Sequence, residues 1–232
     1  MITGQLVIAY HGCDATTRDD LVTGRTSHLT HSANKYDWLG PGAYFFESDL
    51  VRALNFATAS YENPEKLYTK KPIGTPAVVG AVLCLKNVLD MTTQAGIEEF
   101  SRACKKTEKI FEITGETPVN RPSSDDDVEI IHRAYDNAVF TYLHGLNKGP
   151  EYDAVRGAFL QGEKIANSAF QQHTHIQLAL RRNDCVLGWF LPPGAKLLTE
   201  AEYAEAKARQ AQQAAIRTAR KPRKRVAAST LG

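Results

Sequence analysis

The chain has 232 residues, 43% hydrophobic and 23% charged, the balance of a folded globular protein rather than a disordered or membrane-embedded one. That length suits one domain with an appendage and is short for two. The net charge of +2 conceals an asymmetry: after Leu198 eight Lys or Arg stand against three Glu, so that segment carries +5 and residues 1–198 carry −3. No run reaches the roughly 20 apolar residues of a membrane-spanning helix, and the opening MITGQLVIAYHG has no basic, cleavable leader, so a cytoplasmic protein is expected. Cys13, Cys84, Cys104 and Cys185 form no CxxC pair; reduced thiols and no metal site are expected.

QLVIAY (residues 5–10) predicts a buried strand that ends at His11 and Gly12. A polar, turn-rich stretch follows, with a surface loop over residues 26–38. LGPGAYFFE (residues 39–47) predicts a turn and a short aromatic strand; Ser48 and Asp49 then cap a helix with Leu50, Ala53, Leu54 and Ala57 at helical spacing. Residues 75–91, rich in Val and Leu, predict one long core strand. Ile97, Phe100, Cys104 and Phe111 predict a helical face over residues 97–111. Ser124 with Asp125, Asp126 and Asp127 caps a further expected helix bearing Val128, Ile131, Tyr135, Ala138 and Tyr142, which accounts for the acidic run without a metal. HIQLALR and CVLGWFL, parted by Arg182, Asn183 and Asp184, predict a β-hairpin. Residues 200–220, rich in Ala, Glu and Gln, predict a helix with almost no large apolar side, expected to protrude or to bind a partner. The fold class expected is α+β.

Three segments carry chemistry: Tyr10-His11-Gly12-Cys13 at a strand end, Gly40-Pro41-Gly42-Ala43-Tyr44-Phe45 before a helix, and His175-Ile176-Gln177 opening a late strand. In this order the chain resembles the His-Tyr-Glu class of ADP-ribosyltransferases, the group of diphtheria-type toxins and poly(ADP-ribose) polymerases. The resemblance spans about residues 5–192. It implies a split β-sandwich with peripheral helices over residues 1–198; composition adds a helical, then basic and partly disordered segment, residues 199–232. NAD is implied as co-substrate, bound by His11, Gly12, Cys13, Tyr44 and Phe56. His11 would meet the adenine-side ribose, Gly12 the nicotinamide carboxamide through its backbone, and Tyr44 and Phe56 the two faces of the nicotinamide ring.

Gln177 stands where that family has its catalytic glutamate. A unit charge at 4 Å and an effective dielectric near 20 is worth about 4 kcal/mol, roughly three powers of ten in rate. Either another acid compensates, for which Glu163 is the candidate, or the acceptor is already nucleophilic and needs no base. The activity implied is mono-ADP-ribosyl transfer to a macromolecule, protein or nucleic acid. The alternatives are a catalytically degenerate module that binds NAD or ADP-ribose, and an NAD-dependent RNA 2′-phosphotransferase, for which Arg25, Arg181 and Arg182 are the available cations. His173 and His175 share a strand face without further ligands, and Cys13 leaves a thiol nucleophile open.

RTARKPRKR (residues 217–225) holds six basic residues and no acid, the composition of a phosphate-binding or solvated tail. If it guides the protein to nucleic acid, deleting residues 217–232 should flatten the salt dependence of nucleic-acid binding, measured by titration at several salt concentrations; an unchanged slope would remove that role.

Overall fold

The computed structural model describes residues 4–64, 69, 71–122, 129–145 and 151–219. The expected cap at residues 124–127 and the basic tail beyond residue 219 lie outside them. The chain runs β1 (Gln5–Asp14), α1 (Ala15–Val22), β2 (Ala43–Glu47), α2 (Leu50–Glu62), β3 (Pro76–Leu85), β4 (Val88–Asp90), α3 (Gln94–Thr114), β5 (Asn120–Arg121), β6 (His132–Arg133) and α4 (Ala134–Gly145). It continues with β7 (Ala154–Phe159), β8 (His175–Leu180), a 3-10 turn (Asn183–Cys185), β9 (Val186–Phe190) and α5 (Glu200–Ala219). This is an α+β fold built on one mixed sheet in the order β4-β7-β8-β2-β1-β3-β9, with β5 and β6 as a separate small ribbon. All neighbours in the large sheet are antiparallel except β4 and β7.

A short link forces that sheet to bend. Only Lys86 and Asn87 separate β3 from β4, yet the two strands lie five positions apart in the sheet. Five strand spacings would span about 24 Å if flat, whereas two linking residues reach about 11 Å. The sheet therefore curls over, and its two halves share one core: Val7 and Ala9 of β1 with Val79, Ala81 and Leu83 of β3 on one side, Phe45 of β2 with Leu178 and Leu180 of β8 on the other. Asp153 holds the link, its carboxylate accepting the N–H groups of Lys86 (2.7 Å) and Asn87 (2.9 Å). Outside this core, Leu39, Leu89, Val155 and Phe159 pack against Phe140 of α4 and Phe100 of α3, while α2 covers Tyr10, Phe46 and Val78.

The bend explains where the sequence misled. β8 and β9 do not form a hairpin: β8 lies between β7 and β2, and β9 pairs with β3 in the opposite half, so residues 181–185 are a crossing between layers. The strand expected over residues 75–91 is two strands. β7, with no expectation attached to it, is an interior strand paired on both sides, with β4 and β8, and its Ala154 and Val155 are fully buried. α3 buries Gly96, Ala103 and Thr107 and leaves Ile97 45% exposed, a face rotated from the expected one. Leu54 of α2 likewise points outward, and the buried face is Ala53, Ala57 and Ser60. α4 starts at Ala134 because His132 and Arg133 pair with β5, so Ile131 lies outside the helix, and the side it buries carries Asn137, Val139 and Phe140 rather than Ala138 and Tyr142.

α5 does not protrude. It lies against the domain through small and polar contacts: Ala206 is fully buried, Tyr203 donates its hydroxyl to Asp20 (2.7 Å), and Gln210 donates to the Pro72 carbonyl (3.0 Å). A Cβ at Gly74 would stand 2.3 Å from the Gln210 backbone nitrogen, so only glycine lets the helix come this close. Arg217 donates to the Pro64 and Thr69 carbonyls, so α5 is fastened to the domain near its C-terminal end as well.

Asp14 joins the two ends of this arrangement. Its buried carboxylate caps α1 through the Thr16 N–H (3.0 Å) and hydroxyl (2.7 Å) and accepts the N–H groups of Gly74 (2.7 Å) and Thr75 (2.9 Å). Asp14→Ala would leave buried donors without a partner, at a cost of about 3 kcal/mol or more. Urea unfolding should register the loss, and a variant as stable as the parent would show that the carboxylate is dispensable.

Candidate functional site

β1 and β2 pair at only two positions, Ala9↔Glu47 and Tyr10↔Phe46. Past them the residues from His11 to Asp14 stay on β3, Ala43 and Tyr44 stay on β8, and the strands separate. The gap opens into a cleft of about 1040 Å³. Its walls include these strand ends, α2, the loop over residues 26–38 and Lys207 and Gln210 of α5.

Strand parity fixes which backbone groups face the gap. Ser48 donates its N–H to the Ile8 carbonyl (3.0 Å), so the backbone of Ile8 is turned toward β2. Residues two and four further on repeat that orientation, which turns the N–H and C=O of Gly12 into the space β2 has left. A Cβ at Gly12 would lie 2.2 Å from the Ala53 carbonyl oxygen, so glycine is also what allows α2 to press on the strand at this point.

The ladder bond that β1 and β2 no longer make is replaced by a side chain. His11 Nδ1 lies 2.7 Å from the Tyr44 carbonyl oxygen. A carbonyl only accepts, so Nδ1 carries the proton, assigned from its partner. Burial lowers the pKa of His11, against the opposing pull of the Tyr44 carbonyl. The ring is therefore neutral at pH 7, with an Nε2 lone pair available to accept from a hydroxyl.

Tyr44 is a fixed wall. Its hydroxyl donates to the Gly40 carbonyl (2.7 Å) and accepts from the Leu39 N–H (2.9 Å). Burial, reinforced by the charge of Asp37, holds its pKa far above the ordinary phenol value, so it takes no part in proton transfer. Phe56 reaches the cleft from α2, its ring 6.0 Å from that of Phe46. Gln177 stands directly across from Phe46 on β8, half-buried, and lines the cleft.

His11, Gly12, Cys13, Tyr44, Phe56 and Gln177 thus share one cleft. Glu163 does not join them. It is exposed in the connection between β7 and β8, where its backbone carbonyl accepts the Gln172 N–H; Gln161 and His173, on the flanks of that connection, line the cleft instead. Burial pushes the Cys13 thiol up to about 12, with Asp14 adding to the shift, so at neutral pH it is not a nucleophilic thiolate. His175 gives Nδ1 to the His173 carbonyl (2.6 Å), and among the described residues no three His, Cys, Asp or Glu side chains are grouped to hold a metal ion.

The sequence reading missed Arg52, which precedes Phe56 by one helical turn and so shares its face of α2; that spacing was the available signal. It also missed Lys207 and Gln210, for which no local signal exists. No family model, curated protein or solved structure matches this chain. Among the described residues no helix is long and apolar enough to cross a membrane.

His11, His175 and His144 all have pKa values lowered by burial, His144 to about 3 with Arg181 adding to it, from 6.5 in the unfolded chain. Below 6.5 the unfolded chain therefore binds more protons than the folded one, and stability must fall as pH drops through that window toward the folded values. Urea midpoints should decline between about pH 7 and pH 5, and imidazole nitrogen NMR at about pH 7.5 should show His11 neutral with the proton on Nδ1; a proton on Nε2 would contradict the assignment.

Proposed function

We propose that this chain is a mono-ADP-ribosyltransferase with an ADP-ribosyltransferase-like split β-sandwich, cleaving the nicotinamide–ribose bond of NAD and moving ADP-ribose to a macromolecular acceptor. The observation that carries the reading is the separation of β1 from β2, with the His11 imidazole on the Tyr44 carbonyl and the Gly12 peptide turned into the gap. Gly12 offers a donor and an acceptor at one residue, the pair that a primary carboxamide complements. Neutral His11 accepts a ribose hydroxyl through Nε2. Tyr44 and Phe56 supply apolar walls for a flat ring, and the cleft is large enough for a dinucleotide. Burial of the glycosidic bond beside Tyr44 keeps water out while the bond to the nicotinamide nitrogen lengthens and charge develops on the ribose.

A second reading, a module that binds NAD or ADP-ribose without turnover, is favoured by one observation: Gln177 cannot supply negative charge to that ribose, and Glu163 is not at the cleft. The two readings separate on transfer of label from adenylate-labelled NAD into a cell lysate. Label that disappears with His11→Ala supports the transferase. The same substitution should weaken NAD binding at least about tenfold, the worth of one hydrogen bond. NAD binding by the parent protein without labelled product or free nicotinamide would establish the binding module instead.

A further inference from the structure

We infer that Arg52 is the seat of the acceptor, and that the acceptor group is a terminal phosphate monoester on a polynucleotide. The inference rests on the transferase reading and adds what that site modifies.

Arg52 projects from α2 into the cleft with its guanidinium over the Phe46 ring, 5.3 Å from the centroid. Nη2 donates to Gln161 Oε1 (2.7 Å), and Nε is buried without a partner. Among the described residues no carboxylate forms an ion pair with it. Asp49 is engaged by the backbone N–H of Arg52 itself (2.8 Å) and Glu129 by the Gly162 N–H, so both act on the guanidinium only from a distance. Burial lowers its pKa, yet a guanidinium remains charged at any working pH. A partly desolvated guanidinium that lines a cleft, with no carboxylate in an ion pair with it among the described residues, is a site for an anion, and its planar fork matches phosphate oxygens.

Its position separates it from the phosphates of the dinucleotide. Phe46 lies between Arg52 and Gln177: the guanidinium covers the ring, and Gln177 is its cross-strand neighbour. Arg52 therefore flanks the place where the family resemblance puts the reacting ribose. The cations at the other part of the cleft, Lys71 and Lys207, lie with Asp14, Asp20 and Gln210 near α1 and α5, and serve the remainder of the cofactor.

The chemistry accounts for Gln177. A hydroxyl or amide acceptor must lose a proton, and an uncharged amide cannot take it. A phosphate monoester already carries the attacking oxygen as an anion. That oxygen forms a bond to C1 of the nicotinamide ribose; the C1–N bond breaks, and its electron pair leaves on the nicotinamide nitrogen, neutralising the ring. No proton is transferred and no base is required. Of the carriers of such a group, a polynucleotide end fits the +5 charge concentrated after Leu198.

The experiment uses the full chain, adenylate-labelled NAD and single-stranded oligonucleotides of one sequence with a 5′-phosphate, a 3′-phosphate or only hydroxyl ends, alongside a phosphoserine peptide. Label is expected on a phosphorylated oligonucleotide and not on the hydroxyl form, and phosphatase should not release it once the phosphate is capped. Arg52→Gln should raise KM for the phosphorylated end by about 10- to 100-fold, with Arg52→Lys recovering part of it. Gln177→Glu, which sets a negative charge beside the acceptor phosphate, should shift product from labelled oligonucleotide toward free ADP-ribose. Equal labelling of hydroxyl and phosphorylated forms, or an unchanged KM in a folded Arg52→Gln protein, would overturn the inference and leave the transferase intact. Labelling of the phosphopeptide alone would overturn the choice of a polynucleotide. Absence of both transfer and nicotinamide release by the parent protein would instead remove the transferase reading beneath it.

Discussion

The site depends on one failed strand pairing. Two neighbouring antiparallel strands ordinarily satisfy each other along their length, and any stretch that stops doing so exposes N–H and C=O groups that must find other partners. Here β1 and β2 stop after two positions, and His11 takes over the Tyr44 carbonyl with its ring. That single hydrogen bond ties the separated strands together, fixes the tautomer of the histidine and leaves the Gly12 peptide open. The carbonyl of Gly42 is satisfied in a parallel way by the Ser32 N–H (2.8 Å), which fastens the loop over residues 26–38 to the rim of the same gap.

Why the strands can separate without loss of the core follows from the bend in the sheet. Beyond the divergence point β1 still pairs with β3 down to Asp14↔Pro76, and β2 still pairs with β8. Each strand is thus held by its own half, and the halves press together below the cleft through Val7, Ala9, Phe45, Leu83 and Leu178. Burial of side chains of this kind contributes about 1.5–3 kcal/mol each, far more than the one or two ladder bonds forgone. Asp153 then secures the chain reversal from β3 to β4 that the bend requires, and Asp14 ties the start of α1 to the entry of β3, each carboxylate binding a pair of adjacent backbone N–H groups.

The electrostatics of the cleft are those of a site that binds more than it titrates. His11 is held neutral, Tyr44 is held protonated, and Cys13 is held as a thiol, all chiefly by burial. The charge that remains is that of Arg52, with Asp49 and Glu129 acting on it from a distance, and is mixed near α5, where Lys207 faces Asp20. Under the proposed function such a cleft orients and desolvates its ligands, and leaves bond making to the reactivity that the ligands bring.

The sequence by itself determined the local elements whose pattern is set by near neighbours: the apolar run of β1, the aromatic strand β2, the Asp49 cap of α2 and the helical composition of α5. It also singled out His11, Gly12, Tyr44, Phe56 and Gln177, because motif spacing survives in the chain whatever the packing. Tertiary structure alone decided the rest. A residue's periodicity cannot say which distant strand it will meet, so β8 and β9 read as a hairpin although the bent sheet places them in opposite halves. The bend likewise set β7 between β4 and β8, left Glu163 in solvent and placed Arg52 over Phe46, the cross-strand neighbour of Gln177. It turned Lys207 of α5 toward a cleft that begins almost two hundred residues earlier, because a buried core rewards contacts between segments regardless of their separation in sequence.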